Sequence, residues 1–151
     1  MKSIDSSCLY INSRIDIFCP LYNEYLWDIM SIIKNDNKHI SDKLLKEFTL
    51  SYINEMIDKD IIYVGNKWSE DKSLIKWKYS KDEIIDKIDK MWNEDATFPD
   101  FLEMVWFGYQ DWYINALKKM GLGQEKILWR DFIKNNIGNL EKWIEDNKPK
   151  E

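Results

Sequence analysis

Residues 98–121 read FPDFLEMVWFGYQDWYINALKKMG, and how this run folds decides the architecture. Pro99 suits the first turn of a helix, where its missing N–H removes no intrahelical bond, and Gly121 suits the position just past a helix end. The spacing predicts one helix over 99–120. At about 100° per residue its apolar positions fall into two stripes, more than a one-sided surface helix needs. Leu102, Val105, Trp106, Tyr109, Trp112, Tyr113, Ala116, Leu117 and Met120 make a broad stripe expected to face the core. Phe107 and Ile114 point away from it and share their side with Glu103, Gln110 and Asp111. Two outcomes stay open for that second stripe: the C-terminal helix covers it, or part of it is an exposed aromatic patch of the kind that anchors a partner. The run is also acidic. No Lys or Arg falls between Lys90 and Lys118, whereas Glu94, Asp95, Asp100, Glu103 and Asp111 all do.

Moving towards the N-terminus, Ser80 and Glu83 form a capping box directly ahead of Ile84, Ile85, Ile88, Met91 and Trp92, which predicts a helix there. Before it the period changes. Ile61, Ile62, Tyr63 and Val64 are a β-rich run, and Ile75, Trp77 and Tyr79 alternate with Lys76 and Lys78, so the two pair as a hairpin. Gly65 and Asn66 open the connecting loop, which carries Glu70, Asp71 and Lys72. Ser41 is an N-cap for Leu44, Leu45, Phe48, Tyr52, Ile53, Met56 and Ile57, read either as one helix or as two with a break at 49–51. Leu26, Ile29, Met30 and Ile33 mark an earlier helix within 21–34, ended by the polar run 35–38. Residues 1–20 read as an irregular arm or edge strand. Beyond Gly121, residues 124–146 predict a last helix with Trp129, Phe132, Ile133, Ile137, Leu140, Trp143 and Ile144 on one face, weakened locally by Gly138.

The expected fold class is therefore mainly α, a compact helical domain spanning residues 1–151 with one small two-stranded β-hairpin. Its 151 residues, 44% hydrophobic, match the size of one domain, and 15% aromatic content with only 5 Gly and 3 Pro is the reverse of a disordered composition. No run approaches the roughly 18 apolar residues that a spanning helix needs. Asp5, Asn12, Arg14 and Asp16 interrupt every short apolar run near the start, so no export signal is expected and the cytoplasm is the expected compartment.

Charge and chemistry narrow the function classes. A net charge of −5 disfavours general binding to nucleic acid or to an anionic membrane, and favours a basic partner. Cys8 and Cys19 have the spacing of neither a zinc site nor a redox pair and are expected to be ordinary thiols, a bridge between them being the lesser alternative. His39 is the sole histidine, and it lies in a polar stretch with no orienting acid or nucleophile near in sequence. Gly121 and Gly123 flank Leu122 at a helix end and do not form a phosphate loop. The chain is expected not to be an enzyme, and to need no cofactor and no metal.

Two resemblances follow from these residues. Helices followed by a hairpin over 21–79, with LKEFTLSYINEMIDKDIIYV at 45–64 as the helix leading into the first wing strand, resemble a winged-helix unit. The phrases MIDKDIIYVG and IKWKYSKDEIIDKIDKMW, then the Pro-led run 98–121, are similar to small bacterial immunity proteins of contact-dependent and polymorphic toxin systems, with Trp92, Pro99 and Trp106 as anchors. That resemblance implies binding and neutralising a cognate toxin domain, usually a nuclease, without catalysis. The candidate contact residues are Glu103, Phe107, Gln110, Asp111 and Ile114, with Asp100 on the rim. The alternatives are a winged-helix DNA-binding transcriptional regulator and a protein-binding adaptor. Asn54, Glu55 and Asp58 on the would-be recognition helix argue against the former, since groove contacts call for Arg and Lys; Lys67, Lys72, Lys76 and Lys78 on the hairpin only partly offset them.

Overall fold

The computed structural model describes residues 11–68, 74–124 and 126–149. It is mainly helical, with one small antiparallel sheet. Of residues 1–20, expected as an irregular arm or edge strand, 1–10 lie outside the described residues and the rest includes a short helix, α1 (Ile11–Ile17). The carbonyls at and just past its C-terminal end, which a helix cannot satisfy internally, are met by one side chain from the following loop and two from distant parts of the chain. Asn23 Nδ2 donates to the carbonyls of Asp16, Ile17 and Cys19 at 2.9, 3.1 and 3.0 Å. The Tyr113 hydroxyl donates to Phe18 at 2.6 Å, and the Trp129 indole N–H to Ile15 at 2.8 Å. Sequence periodicity carries no trace of such an end, because its caps come from elsewhere.

The helix α2 (Leu26–Asp36) buries Leu26, Ile29, Met30 and Ile33, as the spacing predicts. Asp28 turns back at its start to accept from the backbone N–H groups of Glu24 and Tyr25. Ser41 caps α3 (Asp42–Asp58), which is one continuous helix of 17 residues. No break occurs at 49–51, because the Thr49 hydroxyl donates to the Leu45 carbonyl one turn back and is satisfied within the helix. Leu45, Phe48, Leu50, Tyr52, Ile53 and Met56 are all buried, so α3 is a central helix packed on several sides.

A hairpin forms from β1 (Ile62–Trp68) and β2 (Leu74–Lys76), but β1 continues through Gly65 and Asn66, expected to open the loop, and β2 ends before Trp77 and Tyr79, leaving Ile75 and Tyr79 exposed. The Ser80–Glu83 capping box starts α4 (Lys81–Met91). The helix expected over 99–120 does not form as one piece. It divides into α5 (Phe98–Glu103), a third strand β3 (Trp106–Tyr109) and α6 (Asp111–Lys119). β3 pairs with the free side of β1, giving the order β2-β1-β3, with Ile62 opposite Tyr109, Tyr63 opposite Gly108 and Val64 opposite Phe107. The physical cause is twofold. A two-stranded ribbon alone is marginal in water, and Trp-Phe-Gly-Tyr combines strand-forming aromatics with a helix-weakening glycine. The outer edge of β3 is then covered, because the Phe107 N–H donates to the Glu24 carbonyl at 2.8 Å and Tyr25 bridges Trp106.

The expected last helix is also divided. α7 (Trp129–Phe132) runs into a π-helical turn (Ile133–Ile137), Gly138 adopts a φ of 85°, and Asn139 caps α8 (Leu140–Asn147). Gly138 thus breaks the helix, because its positive φ cannot continue a right-handed helix and is open to glycine without a Cβ penalty. Ile17, Ile29, Ile53, Met56, Ile88, Leu117, Phe132 and Ile144, from α1 to α8, are fully buried in one core.

Candidate functional site

The insertion of β3 redistributes the candidate contact residues. Phe107, expected to face away from the core, is 4% exposed and sits within it, because its strand position turns it inward beside Val64. Gln110 is half-buried at the start of α6, where its N–H donates to the Ile61 carbonyl at 2.8 Å. Ile114 is half-buried and Asp111 exposed on α6; Asp100 and Glu103 are exposed on α5. What the wheel placed on one face is thus split by a strand into two groups. Trp106 and Tyr109, expected in the core stripe, are half-buried on β3, with the Tyr109 hydroxyl donating inward to the Asn23 carbonyl at 3.0 Å.

Asp100 and Glu103 do come together, and Asp95 joins them. The three surround a cleft of about 390 Å³ whose walls include Met91 and Met104, and no basic side chain lines it. The Asn93 side-chain carbonyl accepts the Asp95 N–H at 2.9 Å, and Asp100 accepts the Thr97 N–H at 2.7 Å, which fixes the turn carrying both acids. No ion pair engages any of the three carboxylates among the described residues. Thioethers are adaptable apolar surfaces, and carboxylates beside them offer a cation a place for its head group while its alkyl stem lies on sulfur. Such a cleft accommodates the side chain of a lysine or arginine.

On the other side of the same turn lies an aromatic cleft of about 440 Å³ lined by Trp27, Trp92 and Phe101. Lys46 closes one wall, bonded to the carbonyls of Asp89 and Trp92 and paired with the Asp89 carboxylate. Lys34 and Lys43 are offset at its rim by Asp42 and Glu94, so it favours neither sign of charge.

Several other charged groups tie elements together. Arg14 bridges α1, α3 and α8 through Glu55 and Glu141; burial works against its charge, but the two carboxylates outweigh that and hold it protonated. Glu55 is thereby tied up, and Asp58 is paired with Lys81. Lys76 stands over the Tyr63 ring at 4.3 Å. The exposed stripe of α3 therefore carries no surplus of cations for a phosphate backbone. The side chain of Lys67, and Lys72 with Glu70 and Asp71, lie outside the described residues. Cys19 is a free, buried thiol, and Cys8 lies outside the described residues. Burial pushes the Cys19 thiol up to about 12. His39 is exposed. Among the described residues no group of three His, Cys, Asp or Glu side chains is close enough to hold a metal ion, the three carboxylates of the acidic cleft included. None of the described helices is long and apolar enough to cross a membrane.

Among the described residues, the most exposed large apolar side chains are Leu128 at 70%, Tyr22 at 62% and Leu21 at 51%. None was singled out by periodicity, because all lie in connecting segments where no helical or strand period operates. No known protein family matches the sequence, and no curated protein or solved structure proved similar to it.

Proposed function

We propose that this chain is a non-enzymatic binding protein that captures and neutralises the basic domain of a bacterial toxin, acting in the cytoplasm, as its resemblance to immunity proteins implies. The observation that carries the reading is the cleft in which Asp95, Asp100 and Glu103 meet over Met91 and Met104 with no basic residue lining it. A protein of net charge −5 with such a cleft attracts a cationic surface over distance, and complementary charge raises association rates by roughly 10–10³-fold at low salt. The thioether walls then supply apolar contact at close range.

The test is co-expression. The C-terminal domain encoded immediately upstream is induced in a sensitive bacterium, alone and with this protein. Restored growth, with the two proteins copurifying, is the expected result. Asp95→Lys combined with Glu103→Lys, both exposed and neither a helix cap, is expected to weaken the complex at least tenfold and to flatten its salt dependence. A toxic neighbour that this protein does not relieve sinks the immunity reading; rescue and affinity unchanged in the double variant remove the acidic cleft from it.

A further inference from the structure

Two of the most exposed large apolar side chains among the described residues do not lie scattered. Tyr22 and Leu128 face one groove of about 490 Å³, with Ile32 and Trp129 also lining it, and Leu21 adjoins Tyr22 in the chain. Single exposed apolar residues are ordinary, but large ones converging on a concave surface mark a binding site.

Hydrogen bonds also tie the groove walls to the rest of the fold. The Trp129 indole is fixed to the Ile15 carbonyl at 2.8 Å, Asn23 is held by three backbone carbonyls, and Asp28 caps the start of α2. Arg130 lies across the rim with its guanidinium on the Asp16 carboxylate, Nε to Oδ1 at 3.1 Å. A surface whose walls are already ordered loses little entropy when it is filled.

Charge selects the occupant. Asp16, Asp28 and Asp131 line the groove against one cation, Arg130, which is committed to Asp16. A second copy of this chain, with the same acidic rim and a net charge of −5, would bring like charges together. We infer that the groove between Tyr22 and Leu128 is a docking surface for a basic polypeptide, taking one large apolar side chain of the partner with a lysine or arginine beside it over Asp131. The inference rests on the protein-binding reading and adds to it a second, apolar anchor point distinct from the acidic cleft.

The experiment is a titration of the ¹⁵N-labelled protein, followed through its amide resonances, with three short synthetic peptides at up to about 1 mM. One has a Leu-Trp centre flanked by lysines and arginines, one the same centre flanked by glutamates, and one a glycine centre flanked by lysines and arginines. The expected result is saturable shifts at Tyr22, Ser31, Leu128 and Asp131 with the first peptide, and binding at least tenfold weaker with each of the others. Leu128→Asp and Tyr22→Ser, both at exposed positions, should each weaken the first peptide at least tenfold while leaving the rest of the spectrum in place. Shifts elsewhere only, equal binding of the glycine-centred peptide, or binding indifferent to both substitutions would overturn the assignment. So would a concentration-dependent dimer that Leu128→Asp abolishes, which would make a second copy the occupant, or a peptide site that opens only when residues 1–10 are deleted. The toxin reading fails separately: peptide binding with no growth rescue leaves the groove standing and removes the toxin, whereas rescue without shifts at the groove does the reverse.

Discussion

Two buried tyrosines show how differently one hydroxyl can count. Tyr113 spends its hydrogen bond on the Phe18 carbonyl at 2.6 Å, whereas the buried Tyr52 hydroxyl makes no well-formed hydrogen bond among the described residues and has only the Arg14 guanidinium beside it, already committed to Glu55 and Glu141. An unmet polar group in the interior costs about 1–3 kcal/mol, so the two substitutions to phenylalanine should diverge. Tyr113→Phe strands the Phe18 carbonyl and is expected to cost about 1–2 kcal/mol in urea unfolding, while Tyr52→Phe is expected to be neutral or stabilising by up to about 1 kcal/mol. Equal losses in both would mean that Tyr52 has a partner after all. Cys19 is the other residue whose environment silences it. With its thiol pushed up to about 12, its thiolate fraction at pH 8 falls on the order of 10³-fold below that of an ordinary cysteine. In a Cys8→Ser variant, alkylation by iodoacetamide at pH 8 should follow unfolding, and rapid labelling of the native protein would contradict the burial described for this side chain.

At the scale of elements, the sheet depends on two glycines in unequal ways. A Cβ on Gly65 would lie 2.2 Å from the Ile75 carbonyl oxygen, a backbone atom of the paired strand that cannot withdraw without breaking the hairpin register. A Cβ on Gly108 would meet the Tyr63 ring at 2.2 Å, and that half-buried ring can swing aside. Gly65→Ala is therefore expected to cost more than about 2 kcal/mol and Gly108→Ala about 1 kcal/mol, compared by urea midpoints at constant slope. The reverse order would mean that Tyr63 is the fixed partner. These glycines also explain which elements the sequence betrays. Ser41, Ser80 and Glu83 cap their helices through neighbours three residues away, so α3 and α4 are legible locally. β3 is not, because Trp106 to Tyr109 become a strand only when β1 offers an unpaired edge about forty residues earlier. A strand inside a helix-like run turns every later residue to a new face, which is why Phe107 faces the core while Asp100 and Glu103 keep their surface placement.

For the molecule as a whole, its buried acids of high pKa set the alkaline limit. Burial raises Cys19, Tyr52, Tyr109 and Tyr113 above their ordinary values, the last two strongly. The unfolded chain releases these protons near pH 8.5 for the thiol and pH 10 for the phenols, about 1.4 kcal/mol per group for each further pH unit, while the folded chain keeps them. The contribution of these four groups is thus fully present below about pH 8.5 and is lost as pH rises towards the folded values. By pH 11 the Cys19 thiol alone should account for a loss of about 3 kcal/mol, and the tyrosines add to it in the same direction. Urea midpoints at pH 7, 9, 10 and 11 check this, and a flat series up to pH 11 would sink it. Absorbance at 295 nm should show part of the 8 tyrosines titrating only as the protein unfolds. The acidity that guided the functional reading was legible at this scale, since net charge is a sum over residues. The groove of Tyr22 and Leu128 was not, because it joins two connecting segments that only the packing of α1 against α7 brings together.

That packing has a consequence for biosynthesis. Arg14 finds Glu141, and Ile15 finds Trp129, across separations of 127 and 114 residues. At a translation rate of about 5–20 residues per second, α1 waits about 6–25 s on the ribosome before its partners have been made. During that interval its apolar residues Ile15, Ile17 and Phe18 are open to chaperones and to proteases, so the yield of this protein in a cell should depend on how quickly its last thirty residues are delivered.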